Sequence, residues 1–284
     1  MGLTDCIYWN IYDNEEITPG NPRGYYLVKP DTYYSGAGIK FSSIFGTTPP
    51  SPPSFTNTIS TLFDGSNDYV TLGDVLSLDL TANEMTLSCW FKPVNLTAQM
   101  ILMARARPGA SAINWLMGVN TDGTLYGYFG GAGGYSTSGG TIVAGTWNHA
   151  LWTVRNIGGV YTGSVWLNAV QVGGNIVAGN MTDATSQAKI GAGGSSSTAP
   201  NPFNGNIDEV TIWNVGMTSA QITALYNANK PNDPTTHSLV ANLTHLYRMG
   251  DDDTYPTILD KVGVFNGTCT NMTSGVVNFV AVVP

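Results

Sequence analysis

The alternation in Met85-Thr-Leu-Ser-Cys-Trp-Phe-Lys92 constrains this chain more than any other feature. Read at a period of two, it puts Met85, Leu87, Cys89 and Phe91 on one face of an extended segment and Thr86, Ser88, Trp90 and Lys92 on the other. It predicts a strand with one buried and one wetter face. Comparable runs, each bounded by turn residues, cover Asp68 to Leu72, Trp115 to Val119, Leu125 to Phe129, Trp147 to Arg155, Ser164 to Leu167, Lys189 to Gly191 and Ile207 to Trp213. The composition agrees with an all-β chain: 34 Gly and 15 Pro supply tight connections, and 42% hydrophobic residues can fill a core. One helix is predicted from Thr218 to Asn229. Thr218 and Gln221 have capping-box spacing there, and Ile222, Leu225 and Tyr226 form an apolar stripe that ends before Pro231.

The organisation follows from a second feature, Thr47-Thr-Pro-Pro-Ser-Pro-Pro-Ser54. Prolines this dense force extended backbone and remove ladder donors, so the run reads as a linker. Residues 1–46 are therefore an N-terminal arm or small attachment subdomain, 47–57 the linker, 58–230 the strand-rich domain and 231–284 a C-terminal tail.

A net charge of −8 and a pI near 4.6 give a mean field that repels phosphate backbones and anionic headgroups, so neither nucleic acid nor a membrane surface is an expected partner. Arg105 and Arg107, the cations that lie close together, read as solvated loop side chains. No stretch approaches the ~18 apolar residues of a membrane span, and MGLTDCIYWN at the start has neither a basic nor an apolar leader region, so Sec export is not expected. Cys6, Cys89 and Cys269 lack metal or redox spacing, and Cys89 reads as a small buried hydrophobe.

Five blocks then stand in order: Phe63-Asp-Gly-Ser-Asn-Asp-Tyr-Val70, Met85 to Pro93, Gly145-Thr-Trp-Asn-His149, Phe203-Asn-Gly-Asn-Ile-Asp-Glu-Val-Thr-Ile-Trp-Asn214, and the helix through Asn227. In order and spacing they resemble the laminin G-like domains of the concanavalin A-like superfamily. The resemblance implies a two-sheet antiparallel jelly-roll sandwich, with the helix as a lid. In the tail, His245-Leu-Tyr-Arg-Met-Gly-Asp-Asp-Asp253, followed by Asn266-Gly-Thr and Asn271-Met-Thr-Ser-Gly275, resembles segments of laminin G-like structural proteins of tailed bacteriophages. That likeness implies a virion structural protein, either capsid decoration or tail-associated. Its partners would be other virion proteins and cell-surface glycans, and it would be assembled in the host cytoplasm. The alternative is a bacterial extracellular carbohydrate-binding module or adhesin. The tail is expected to supply strands either in cis or to a neighbouring subunit, the second arrangement giving a homo-oligomer.

Catalysis is not expected. Glucanases of this fold use Glu-x-Asp-x-x-Glu, because retaining hydrolysis needs two carboxyl groups roughly 5 Å apart. The glutamates here are Glu15, Glu16, Glu84 and Glu209, and none stands in that pattern. His149, His237 and His245 fall in separate segments without a nucleophile elbow, and His149 reads as a structural residue on a strand face. For a metal, the family implies structural Ca²⁺ held by Asp64, Asp68 or Asp208 with backbone carbonyls and water. Strand parity puts Asp208 on the side of Val210 and Ile212, and Asp68 on the side of Val70 and Leu72. The equal alternative is that Asp64 and Asp68 form Asx turns and Asp208 caps backbone donors. Asp251-Asp-Asp253 reads as a solvated loop. Sugar binding on a sandwich needs aromatics beside amide hydrogen-bonders. Among the candidates Trp90, Trp115, Trp152, Trp166, Tyr126, Tyr128 and Tyr135, the pair Tyr126 and Tyr128 shares a face, and Tyr135 lies in a Gly-rich loop.

Overall fold

The computed structural model describes residues 7–9, 26–28, 55–73, 84–106, 113–129, 135–177, 187–193 and 200–284. The chain forms two compact units, Met1–Ser54 and Phe55–Pro284. In the first, β1 (Ile7–Trp9) pairs antiparallel with β2 (Tyr26–Val28). The rest of the arm and the proline run lie outside the described residues.

The second unit holds two antiparallel sheets. Strands β3 (Ser60–Asp64), β5 (Met85–Pro93), β10 (Asn148–Ile157), β11 (Val160–Leu167), β12 (Val170–Val177), β14 (Asn204–Trp213), β15 (Leu243–Tyr247) and β18 (Phe279–Val280) form one of them. Its order is β12-β11-β10-β5-β14-β3-β18, with β15 also on β14. The other comprises β4 (Tyr69–Gly73), β6 (Met100–Ala106), β7 (Ile113–Val119), β8 (Leu125–Phe129), β9 (Tyr135–Gly139), β13 (Gln187–Ile190), β16 (Thr257–Ile258) and β17 (Gly267–Thr270), in the order β16-β17-β4-β13-β6-β7-β8-β9. Their inner faces close over one core that includes Phe63, Val70, Leu87, Phe91, Met117, Trp115, Trp152, Val165, Ile190 and Ile212. The architecture is the jelly-roll sandwich that the motif order implies.

The tail folds back on its own chain. β15 pairs with the second half of β14, β17 pairs with β4, and β18 pairs with β3. Residues 231–284 thus extend both sheets in cis, and the compact unit has no boundary at Lys230.

The alternation of β5 holds, but its consequence differs from the expectation. Thr86, Ser88 and Trp90 are as buried as Leu87 and Phe91. Their face is covered by the helix Ser219–Tyr226 and by the tail: Ile222, Leu225, Leu243 and Leu246 pack with Leu151 and Trp213 into a second apolar cluster. The polar side chains beneath this lid pair with one another, because an unpartnered hydroxyl there would cost roughly 1–3 kcal/mol. Thr86 bonds Thr153 at 2.8 Å, Ser88 bonds Thr211 at 2.7 Å, and the Trp213 indole N–H donates to Thr211 Oγ1 at 2.8 Å. The helix itself starts on the capping box of Thr218 with Gln221 and stops at Asn227, which takes the left-handed conformation.

Candidate functional site

The predicted carboxylates do not converge. Against β5, β14 runs Asp208 opposite Trp90 and then Thr211 opposite Ser88, so Glu209 and Val210 share the single position facing Cys89. This is a β-bulge, and Glu209 adopts a φ of 45° to make it. The extra residue reverses the parity read from the sequence. Val210 and Ile212 turn inward, whereas Asp208 shares the outward register of Trp90 and Thr211.

Asp208 is nevertheless fully buried, under the segment that leads into β3. It accepts hydrogen bonds from Asn57 Nδ2 at 2.8 Å and from the Glu209 N–H at 2.9 Å. Burial, together with the neighbouring charge of Glu209, pushes its carboxyl well above the ordinary range. Beside it, Arg248 Nε donates to Glu209 Oε1 at 2.7 Å, and Nη2 donates to the Thr56 carbonyl at 2.7 Å and to Asp251 Oδ2 at 3.2 Å. The guanidinium also lies 4.5 Å from the Phe55 ring centroid. Asp251 in turn accepts from the Thr58 backbone N–H and hydroxyl. The group is a clamp between the first and last parts of the unit.

Asp64 and Asp68 belong elsewhere. Asp64 faces Asn204, four residues along β14 from Asp208, a separation of roughly 13 Å at strand rise. Its Oδ1 accepts from the Ser66 and Asn67 N–H groups in an Asx turn. Asp68 accepts from the Asp64 N–H and from Asn278 Nδ2, and is buried beside Val70 as its parity predicts. Among the described residues no three His, Cys, Asp or Glu side chains are placed to hold a metal. Asp64 and Asp68 thus stand together at one end of β14, and Asp208 stands apart from them. The acidic run Asp251-Asp-Asp253 also departs from the solvated reading. Asp252 is exposed, while Asp253 accepts from the Gly250 and Leu259 N–H groups and has a fully buried side chain.

The predicted aromatics with described side chains fall in three places: the outer face of the second sheet, the core between the sheets, and the covered face of the first sheet. Tyr126 and Tyr128 both project from the outer face of β8, where Ile101, Ala104 and Leu116 complete a small apolar cluster. Tyr126 lies against Gly118 and is only 9% exposed, so it forms the floor of this face, while Tyr128 is half-buried. Tyr135 pairs with Phe129, in the register alternate to that of Tyr126 and Tyr128. Trp115, Trp152 and Trp90 are buried and Trp166 is half-buried. Trp90 stacks on Tyr226 at 5.7 Å and tilts against His149 at 5.1 Å; burial lowers the His149 pKa to about 3 and keeps it neutral.

Next to Tyr126, at the end of the same face, lies a hydrogen-bonded row that the sequence reading missed. Asn201 Nδ2 donates to Gln99 Oε1 at 3.2 Å, Gln99 Nε2 to Asn120 Oδ1 at 3.0 Å, and Asn120 Nδ2 to Thr124 Oγ1 at 3.0 Å. The Thr124 hydroxyl then donates to Asp122 Oδ1 at 2.7 Å. Gln99 and Asn120 are one step beyond the pair Met100 and Val119, and Thr124 is one step before Leu125, so these side chains stand on neighbouring strands in a line across the sheet. Asn201 joins because its carbonyl accepts from the Ile101 N–H on the opposite side of β6. The turn Asn120-Thr-Asp-Gly123, with Gly123 at φ 77°, is a signal that could have located part of it.

Two antiparallel sheets closed over a common core define a jelly-roll β-sandwich. A family model described as the concanavalin A-like lectin/glucanases superfamily, Laminin_G_3, matches residues 64–223, more than half of the sequence, and the chain belongs to that family. No curated protein matches it. Among solved structures it is similar to a presumptive carbohydrate binding protein from Bacteroides ovatus ATCC 8483, at 18% identity and a TM-score of 0.55, over 77% of this chain and 60% of that one. It is also similar to a heptameric SAP-like pentraxin from Limulus polyphemus, at 16% identity and a TM-score of 0.49, over 75% of this chain and 95% of the pentraxin. A third is domain 4 of a GH43 extracellular arabinanase from Geobacillus stearothermophilus, in complex with arabinotriose, at 24% identity and a TM-score of 0.45, over 59% and 76% of the two chains.

Proposed function

We propose that this protein is a non-catalytic carbohydrate-binding module that works outside the cell. The observation that carries the reading is the outer face of β6 to β8, where half-buried Tyr128 and an apolar floor adjoin exposed, neutral, mutually fixed amides. Fixed amides beside apolar surface are what a sugar requires, since its hydroxyls need donors and its C–H faces need apolar contact. The fold shared with the Bacteroides protein is consistent with this reading, as is the absence of Glu-x-Asp-x-x-Glu from the sequence.

The finer placement expected from the tail, on the surface of a phage particle, is a proposal about location that leaves the binding chemistry unchanged. Mass spectrometry of purified particles separates it from a secreted module. The function itself is tested by applying the intact protein to a glycan array and by incubating it with the polysaccharides that bind. Retention without release of reducing ends is expected. Failure to retain any glycan, or turnover abolished by changing one carboxylate, sinks the reading.

A further inference from the structure

We infer that Asn201, Gln99, Asn120 and Thr124 form the floor of a site for a neutral, linear oligosaccharide whose chain runs across the strands. This rests on the carbohydrate-binding reading and specifies its ligand. The argument begins at Asp122, whose carboxylate can only accept. The Thr124 hydroxyl therefore donates to it, and so must accept from Asn120 Nδ2. Asn120 Oδ1 is then left to accept from Gln99 Nε2, and Gln99 Oε1 from Asn201 Nδ2. One anion thus sets the direction of four hydrogen bonds, and bonds aligned head to tail polarise one another. Each of the three amide nitrogens uses one N–H within the row, and among the described residues the other has no acceptor. What the row offers a ligand is a line of oriented donors.

Donors in a line recognise acceptors in a line. Hydroxyl, ring and glycosidic oxygens of an extended saccharide provide them at intervals of one sugar, close to the spacing of adjacent strands. The three donors, on Asn201, Gln99 and Asn120, stand about 4.8 Å apart and span roughly 10 Å, so each can meet one of about three consecutive sugars. Each solvent-exposed bond contributes only about 0.5–1.5 kcal/mol, so a monosaccharide should bind poorly and a trisaccharide should engage the whole row. The amides are held by their neighbours before a ligand arrives, which limits the ordering cost of binding. Charge selects against acidic chains: Asp122 stands at one end, the protein carries −8 overall, and Lys189, which faces outward from the same sheet, is buried over the Tyr69 ring at 4.4 Å.

The test is calorimetric titration of the full chain with cello-, xylo- and manno-oligosaccharides of increasing length, beside oligogalacturonate and sialyllactose. Affinity for at least one neutral series should rise to about three units and then level. Gln99→Ala and Asn120→Ala should each weaken it about tenfold, the worth of one hydrogen bond. Asp122→Asn should weaken it as well, because a carboxamide no longer dictates the direction of the row. Gln171→Ala, on β12 of the other sheet, should leave affinity unchanged, and melting temperatures should stay level throughout. Preference for acidic oligomers, or neutral binding undiminished in Gln99→Ala and Asn120→Ala, overturns this site while leaving the carbohydrate-binding reading intact. Absence of binding to every glycan overturns both.

Discussion

Arg248 is the cation that balances Glu209 and Asp251, and its value lies in what it prevents. Replacing one partner of a buried ion pair leaves the other charge without compensation, at about 3–5 kcal/mol. Arg248→Met is therefore expected to destabilise the protein by about 3 kcal/mol in urea unfolding at pH 7, and by distinctly less at pH 4.5, where the stranded carboxyls can take up protons. The same cluster sets the pH profile of the native protein. Burial raises Glu209 from its ordinary 4.5 to about 7 despite the opposing pull of Arg248, and Asp208 shifts in the same direction. A carboxyl that holds its proton more tightly in the folded state adds stability below its unfolded pKa and loses it as pH rises toward the folded value. Melting temperature should therefore fall between pH 4.5 and 7, and Glu209→Gln should flatten that slope. Asp260 acts oppositely at the acid end. His245 and several backbone N–H groups hold its carboxyl below the usual range in spite of burial, so its contribution disappears as pH drops below about 3.8.

Among the elements, the tail strands contribute least in length and most in closure. β15 covers the second half of β14, and Leu243 and Leu246 seal the cluster beneath the helix. A chain ended at Lys230 exposes the edges of β14, β4 and β3 together with that cluster, so it should be recovered mainly as aggregate in size-exclusion chromatography. A soluble, folded monomer would contradict the role assigned to these strands. The contrast between legible and illegible elements has a physical basis. β5 and β10 were readable because their inward residues alternate, β14 because its apolar residues cluster between turn signals in spite of the bulge, and the helix because its cap is local. β12 was missed because Val170-Gln-Val-Gly-Gly-Asn-Ile-Val177 is mostly exposed and interrupted by glycines. The tail strands were recognised only as a tendency, since two to five residues carry too little period to fix a partner. The parity of Asp208 misled because a bulge consumes one residue without any composition signal. The amide row is a relation between three segments, and only its Asn120–Thr124 turn carries a local signal.

For the whole Phe55–Pro284 unit, the first and last strands lie side by side: Thr61 pairs with Phe279, Ser60 with Val280, and the Ser60 hydroxyl bonds the Val282 carbonyl. Adjacent ends of this kind tolerate rejoining. A permuted unit with a short linker from Pro284 to Phe55, opened at the exposed turn Gly158-Gly159, should fold with a melting temperature within a few degrees of the original. Loss of cooperative unfolding would show that the order of the strands along the chain matters more than their final pairing.

That adjacency also fixes how the protein answers to force. Tension applied through Phe55 and Pro284 reaches β3 and β18 from the same end, so their two ladder positions open one after another, as a zipper does, instead of resisting together in shear. The Arg248 clamp is then the next point to take load. A protein tethered at one end only is spared this weakness, and single-molecule pulling from both ends should register an early, low-force yielding of the last strand before the sandwich itself gives way.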